Sequence, residues 1–247
     1  MIIYHGTDHV LSKPLFGFGK NDNDYGSGFY TTESPEKAAE WAINNGSDTS
    51  IVNKYEIDTT GLKVLYLDEY GVLAWVAEIV NNRGARGDIA NLRAEQFIGK
   101  YKIDTDSADI IIGYRADDSY TDVVDAFLNN SINIDEVERL FRKGELGKQV
   151  FIKSKEAFNR LQFRGYEEVY EKDYNNDSEF KARSEVSKFL RNRMSQIIVN
   201  NFEPSGITVT EALERTYAFN KDYKYYEEVN NDFEPEIDDE DEDIGDL

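Results

Sequence analysis

The chain has 247 residues, of which 49 are acidic and 28 basic, and it contains no cysteine, so its formal net charge is −21. The lack of cysteine excludes disulfides, thiolate metal sites and cysteine nucleophiles, and the negative charge disfavours nonspecific binding to phosphate backbones. With no leader segment and no run of ~18 apolar residues, the sequence predicts a cytoplasmic protein with one main domain and no membrane contact.

The first third of the chain predicts short strands around a single helix. β-rich runs predict strands at residues 1–4, 51–57 and 62–67. Residues 16–28 are polar and rich in glycine, which is typical of turns and loops. A helix is predicted after Ser34, which can cap it, because Pro35 suits the first helical position.

The middle of the chain predicts mostly helices. They cover residues 72–80, 91–97, 120–128 and 135–141, and a short apolar strand covers residues 109–114. The last of these helices is indicated by Ile134, Val137 and Leu140, which recur at helical rather than strand spacing.

The predicted main domain is α+β and covers residues 1–171. Its last part consists of a strand at residues 149–152, a helix capped by Ser154, and a strand at residues 165–170. The helix is expected to carry Leu161 on its apolar face together with Ala157 and Phe158.

A helical extension is predicted for residues 172–232, followed by a disordered acidic tail at residues 233–247, which is too charged to pack. Apolar and basic side chains in residues 180–198 indicate a long amphipathic helix. This helix either receives a partner or the substrate, or packs on the domain. A shorter helix is predicted at residues 210–219, with Thr208 or Thr210 as its cap.

Three short segments have residue types suited to a nucleotide site: Tyr-His-Gly-Thr at residues 4–7, Gly-Ser-Gly-Phe-Tyr-Thr-Thr at residues 26–32 and Gly-Lys-Gln-Val-Phe-Ile at residues 147–152. In this order they resemble the catalytic core of the poly(ADP-ribose) polymerase and diphtheria-toxin group, whose signature is His, then Tyr, then Glu. Residues 2–170 are more closely similar to a bacterial family catalogued as domain of unknown function 3990, itself considered ADP-ribosyltransferase-like.

The resemblance implies a split β-sheet core with flanking helices and NAD⁺ as the co-substrate. It implies mono-ADP-ribosyltransferase activity toward a macromolecular acceptor, either protein or nucleic acid. Proteins of this group resemble bacterial toxins and phage-defence effectors, so an antitoxin or another regulatory protein is an expected partner. No metal is expected.

The resemblance also assigns roles to the residues that match. His5 is expected to hydrogen-bond the adenosine ribose, and Gly6 to bring its backbone close to the nicotinamide carboxamide, with Thr7 adding a hydroxyl contact. Tyr30 is expected to stack on the nicotinamide ring. Trp41, eleven positions later, is expected to cover the other side of the ring, and such stacking adds about 0.5–1.5 kcal/mol beyond burial.

Gln149 departs from the pattern, because the third signature residue is usually Glu. An amide can hold a ribose hydroxyl in place, but it carries no charge and cannot act as a base. Single transfer is therefore expected rather than chain elongation, to an acceptor that is already nucleophilic or that another carboxylate activates. Glu145 is the nearest such carboxylate in the sequence.

Two alternatives to a transferase stay open. The first is a catalytically silent module that binds NAD⁺ or ADP-ribose and acts through protein contacts, with Gln149 as the sign of lost chemistry. The second is an NAD⁺ glycohydrolase, in which water is the acceptor. At the level of single residues, a lone histidine such as His5 or a helix tryptophan such as Trp41 is more often part of a core than of a site.

Overall fold

The computed structural model describes residues 1–18, 23–44, 49–115, 118–142, 147–173, 177–222 and 224–229. Its strands are β1 (Ile2–Thr7), β2 (Phe29–Thr31), β3 (Ile51–Ile57), β4 (Val64–Tyr66), β5 (Ile110–Tyr114), β6 (Lys148–Ile152), β7 (Leu161–Glu168), β8 (Tyr217–Asn220) and β9 (Tyr225–Glu228). Its helices are α1 (Pro35–Ile43), α2 (Gly71–Arg83), α3 (Asp88–Tyr101), α4 (Asp118–Leu128), α5 (Ile134–Phe141), α6 (Lys155–Asn159), α7 (Asp177–Asn200) and α8 (Val209–Glu214).

These elements confirm the predicted α+β class. Glu145 and the predicted acidic tail at residues 233–247 lie outside the described residues. Among the described helices, none is long and apolar enough to cross a membrane.

Two small sheets form the β part of the fold. The first is antiparallel with the strand order β1-β3-β7, and the second has the order β2-β6-β5-β4, in which only β4 and β5 run parallel. A backbone bridge joins the sheets: Tyr4 N donates to Thr32 O at 2.7 Å, and Thr32 N donates to Tyr4 O at 2.9 Å. The bridge holds the middle of β1 beside the end of β2.

Strands β5 and β6 are buried on both faces. Successive side chains of a strand point to opposite faces of the sheet, so Ile110 packs in one hydrophobic cluster and Ile111 in another. In β6, Val150 and Phe151 divide between the same two clusters. This burial makes the second sheet the rigid support for any residue at the ends of its strands.

Helix α2 is the most buried helix, as its apolar sequence predicts. All residues from 71 to 80 are buried. Trp75, which is 2% exposed, packs with its ring 4.0 Å from that of Phe141, and its indole nitrogen donates to the hydroxyl of Tyr25 at 3.1 Å. The contact with Tyr25 ties α2 to the segment that precedes β2.

The C-terminal helices pack on the same core as the rest of the chain. Val186 of α7 and Val209 and Ala212 of α8 are buried in the cluster that surrounds α2. Thr208 caps α8 by accepting a hydrogen bond from Glu211 N. Of the two expectations for the amphipathic helix, the structure therefore shows the packed one around Val186, whereas Ile198 nearer its end is exposed.

The helix predicted at residues 210–219 is wrong in its second half. Helix α8 ends at Glu214, and the next residues form β8, which pairs with β9 in a hairpin. The hairpin lies on the start of α2, where Leu73 N donates to the Tyr226 hydroxyl at 2.8 Å. Gly71 allows this approach, since a methyl group there would lie 2.6 Å from the ring of Phe219.

The end of the main sheet also differs from the prediction. Helix α6 ends at Asn159, so Leu161 is not on the helix but begins β7, opposite Ile57 of β3. The strand predicted at residues 165–170 is thus longer and starts earlier. The pairing with β3 shifts register beside Gly165, which has a φ of +122° and accommodates the irregularity.

Candidate functional site

A cleft of about 760 Å³ opens where β1 and β2 meet, within the range of roughly 300–1,000 Å³ typical of small-molecule sites. Its lining includes His5 and Thr7 of β1, Tyr30 of β2, Trp41 of α1 and Gln149 of β6. The bridge between the sheets and the pairing of β2 with β6 bring these distant segments together. No group of three or more potential ligands within the described residues could hold a metal ion.

Gly6 is the one predicted site residue that does not line the cleft. Its Cα faces helix α1, where a methyl group would lie 1.9 Å from Ala38 O and 2.7 Å from Ala42 N. The glycine is therefore required for the close approach of β1 to α1, a reason that differs from the expected ligand contact. Next to it, the Thr7 hydroxyl donates to a carboxylate oxygen of Asp8 at 3.2 Å.

The imidazole of His5 is fixed by a backbone carbonyl. Its Nδ1 lies 2.8 Å from Tyr30 O, and because a carbonyl only accepts, Nδ1 carries the proton and Nε2 is left as an acceptor. No partner for Nε2 exists among the described residues. Burial is the largest cause that lowers the pKa of His5, so the neutral ring is the stable form at neutral pH.

Tyr30 is held at both its tip and its ring. Its hydroxyl donates to Gly26 O at 2.7 Å and accepts from Tyr25 N at 3.0 Å, while Phe151 packs with its ring centre 4.7 Å away. Burial raises the pKa of the phenol, which stays protonated. The side chain can therefore present a ring to a ligand but does not serve as a base.

Gln149 is 3% exposed, and its amide is oriented by two acceptors. Nε2 donates to Asp24 Oδ2 at 2.7 Å and lies 3.3 Å from Tyr114 O. A carboxylate and a carbonyl accept only, which fixes the amide nitrogen on that side. With both amide hydrogens directed to the protein, Gln149 can offer a ligand only its carbonyl oxygen.

Asp24 is one of the cleft residues that sequence reasoning missed, as are Arg83, Arg115 and Arg183. It is 3% exposed, lines the cleft, and forms an ion pair in which its Oδ1 lies 2.7 Å from Arg83 Nε. The backbone oxygen of Asp24 accepts from Asn82 at 3.2 Å, so the end of α2 holds this segment in place. An aspartate in a glycine-rich loop is unremarkable as sequence, and only the fold brings it to Gln149.

Trp41 lines the cleft with one face already in contact with a cation. The guanidinium carbon of Arg115 lies 5.2 Å from the centre of the ring system, a distance typical of a cation–π contact. The indole Nε1 is buried, and within the described part of the chain it has no hydrogen-bond partner. The ring of Trp41 therefore contacts Arg115, while its N–H is a separate hydrogen-bond donor.

The described lining of the cleft has more basic than acidic residues, unlike the chain as a whole. Among its described lining residues, four are basic and one is acidic: Lys13, Arg83, Arg115 and Arg183 against Asp24. The chain as a whole carries −21. Since low-dielectric walls concentrate the field inside a cleft, this local excess of positive charge favours an anionic ligand.

The mouth of the cleft is apolar and exposed. Phe18 and Leu15 are 84% and 70% exposed, and the ring of Phe16 packs at 5.4 Å from that of Phe158. All four residues line the cleft. A ligand that combines flat rings with negative charge matches both the apolar and the basic residues of the lining.

Comparison with known proteins gives a family and no described activity. No curated protein and no solved structure matches the chain. Residues 1–163 match the family described as "Protein of unknown function (DUF3990)". The match includes every predicted site residue, and it ends before α7, which supplies Arg183 to the cleft. The chain belongs to the DUF3990 family.

Proposed function

We propose that the protein is an NAD⁺-dependent mono-ADP-ribosyltransferase that modifies a macromolecular acceptor. The observation that carries the proposal is that His5, Tyr30 and Gln149, which lie far apart in the sequence, line one cleft with an excess of positive charge. The two joined sheets support an ADP-ribosyltransferase-like split-sheet core. The expected role as a toxin or defence effector, with a restraining partner in the cytoplasm, belongs to the same proposal.

The proposed roles toward NAD⁺ are supported by the hydrogen-bond geometry of the site residues. The acceptor Nε2 of neutral His5 suits a ribose hydroxyl of the adenosine half. The ring of Tyr30 suits the nicotinamide, because Phe151 and the glycine-rich turn hold it still. The Gln149 carbonyl suits a hydroxyl of the nicotinamide ribose. Gly6 and Thr7 follow His5 on β1.

In the proposed reaction, the bond between the ribose anomeric carbon and the nicotinamide nitrogen breaks, and its electron pair leaves with neutral nicotinamide. The acceptor then donates an electron pair to the oxocarbenium-like carbon and loses a proton. Gln149 cannot take that proton, and the carboxylate of Asp24 is engaged by Arg83 and Gln149. We therefore expect an acceptor that is already nucleophilic or that another carboxylate activates, for which Glu145 is the candidate in the sequence, and either case fits single transfer.

The test is incubation of the full chain with NAD⁺ labelled on its adenylate phosphate, in the presence of a cell lysate. We expect label on a macromolecule, and sensitivity to protease or nuclease identifies its class. His5→Ala and Tyr30→Ala should reduce labelling by about 10- to 100-fold, the loss expected for one or two site contacts. Tyr166→Ala, an exposed residue outside the cleft, should label as the wild type does.

Other results identify the alternatives. Free ADP-ribose together with nicotinamide, without labelled macromolecule, identifies a glycohydrolase. Saturable NAD⁺ binding without turnover identifies a silent binding module, an outcome favoured by the engagement of both amide hydrogens of Gln149. A protein that binds neither NAD⁺ nor ADP-ribose would exclude all three functions.

A further inference from the structure

Besides His5, Tyr30 and Gln149, the lining of the cleft contains a second group of polar side chains. We propose that Trp41, Arg115 and Arg183 form a binding site for the pyrophosphate of a nucleotide ligand, with Arg183 supplied by helix α7 from outside the segment that matches the family. The identity of the ligand as a dinucleotide rests on the proposed function. The assignment of these three residues rests on the contacts described next.

The first observation is the indole N–H of Trp41. It is buried on a residue that lines the cleft, and no described residue accepts its hydrogen bond. Leaving a buried donor without an acceptor destabilises a protein, so such a group calls for a ligand that accepts. A phosphate oxygen is an acceptor only, and it matches a side chain that can only donate.

The second observation is the position of Arg115. Its guanidinium lies over the Trp41 ring at 5.2 Å. The N–H groups of a guanidinium lie in one plane, which is the arrangement that binds phosphate by paired hydrogen bonds. Arg115 directly follows β5, and its backbone nitrogen donates to Gly147 O at 3.4 Å. The backbone of Arg115 is therefore positioned by the sheet that contains β5 and β6.

The third observation is that α7 delivers a cation to the same cleft. Arg183 lies three residues before Val186, which is 2% exposed and anchors the helix in the core. Residues three apart share one side of a helix, so the anchored turn also directs Arg183 toward the domain. The side chain is exposed on the helix and lines the cleft.

The described lining of the cleft holds three arginines. Arg83 forms an ion pair with Asp24, and Arg115 and Arg183 supply two further guanidinium groups. The pyrophosphate of a dinucleotide carries two negative charges, and charge-assisted hydrogen bonds to it are about twice as strong as neutral ones.

The test is calorimetric binding of ADP-ribose, ADP and inorganic pyrophosphate to the full chain, with nicotinamide and adenosine as probes that lack phosphate. Arg115→Gln and Arg183→Gln should each weaken ADP and ADP-ribose binding by about 10-fold, and Trp41→Phe, which keeps the ring but removes the N–H, by about 5-fold. Nicotinamide and adenosine binding should not change. Arg191→Gln removes an exposed cation from the same helix outside the cleft and should bind every probe as the wild type does.

The outcomes separate this inference from the proposed function. If the wild type binds ADP-ribose and Arg115→Gln and Arg183→Gln bind it equally well, the phosphate site is refuted while NAD⁺ use stands. If ADP and pyrophosphate binding fall as expected but NAD⁺ is never turned over, the phosphate site stands and the transferase is refuted. A parallel loss of nicotinamide or adenosine binding in the arginine variants would also overturn the assignment, because it would show a disturbed cleft rather than a lost phosphate contact.

Discussion

At the scale of single residues, the contact between Gln149 and Asp24 joins two buried side chains that line the cleft. It places the amide nitrogen of Gln149 2.7 Å from the carboxylate of Asp24. The amide of Gln149 donates a hydrogen bond to the carboxylate of Asp24, whereas an ionised acid at residue 149 would repel that carboxylate. This contact gives a physical reason for an amide rather than an acid at residue 149.

Gln149→Glu should therefore lower stability rather than improve the site. Two carboxylates at hydrogen-bond distance cannot both be ionised without cost, so the folded state would retain a proton that the unfolded state releases. We expect the variant to lose about 1–3 kcal/mol of unfolding free energy at pH 8 relative to the wild type, and less at pH 5. Urea unfolding at the two pH values measures this.

The exchanged pair Asp24→Asn with Gln149→Glu is the matched control. It restores one amide and one carboxylate, so it should recover part of the stability that Gln149→Glu loses at pH 8. Equal stability of the double and the single variant would show that the contact does not determine the residue at position 149.

His5 predicts a second pH dependence. Its pKa in the folded state is lowered from the ordinary 6.5, chiefly by burial. Below about pH 6.5 the unfolded chain binds a proton at this histidine more readily than the folded chain does. The free energy of unfolding is therefore highest above this pH, with respect to His5, and decreases as the pH drops. The urea midpoint of the wild type should decrease from pH 7.5 to pH 5.5, and that of His5→Gln should decrease less.

The second histidine supplies the control for this measurement. His9 has an exposed side chain, paired with Asp8 at the surface. His9→Gln should leave the larger part of the decrease in place. If His9→Gln removes the decrease and His5→Gln does not, burial of His5 is not its cause.

At the scale of elements, the packing of β1 against α1 positions His5 and Thr7. Gly6 makes that packing possible, and Gly6→Ala would place a methyl group 1.9 Å from a helix carbonyl. We expect a loss of about 3 kcal/mol or more in unfolding free energy, at the upper end for overpacked cores, because two backbones must separate. Thermal and urea unfolding measure the loss.

Gly99→Ala is the matched control. Gly99 lies in α3, where an added methyl group would meet nothing within 4 Å. The substitution should stabilise the protein by about 0.5–1 kcal/mol, because alanine loses less backbone entropy in a helix. Similar effects of the two substitutions would contradict the packing argument.

The elements themselves were largely predictable because their signals are local. Ser34 caps α1 and Ser154 caps α6 as predicted, each by accepting from a backbone N–H three residues later. The buried helix α2 and the helix α5 also follow from their apolar patterns. The predictions at Leu161 and at residues 217–219 were wrong because these residues form strands. The strands are stabilised by pairing with β3 and β9, and their own sequence does not specify those partners.

At the scale of the whole molecule, the C-terminal helices are part of one folded body with the domain that carries the cleft. Val186 of α7 is buried in the main cluster, whereas Ile198 near the end of the same helix is 72% exposed. Val186→Ala should lower the unfolding free energy of the entire protein by about 1–3 kcal/mol. Ile198→Ala should change it by no more than about 0.5 kcal/mol.

Circular dichroism and the fluorescence of the two tryptophans should report one common transition for Val186→Ala. Trp41 and Trp75 lie at the cleft and in the main core, so their fluorescence follows the domain itself. If Val186→Ala lowers helix content in a separate, earlier transition, α7 unfolds on its own and does not share the core.

The sequence by itself determined the α+β class, most helices and strands, and the residue types that suit a nucleotide site. These follow from periodicity, capping residues and short motifs, which act over a few positions of the chain. Only the tertiary structure decided that Asp24 meets Gln149 across 125 positions, that Gly6 serves helix packing, and that α7 brings Arg183 to the cleft. Such contacts depend on which elements pack together, and no local pattern specifies a partner that lies a hundred residues away.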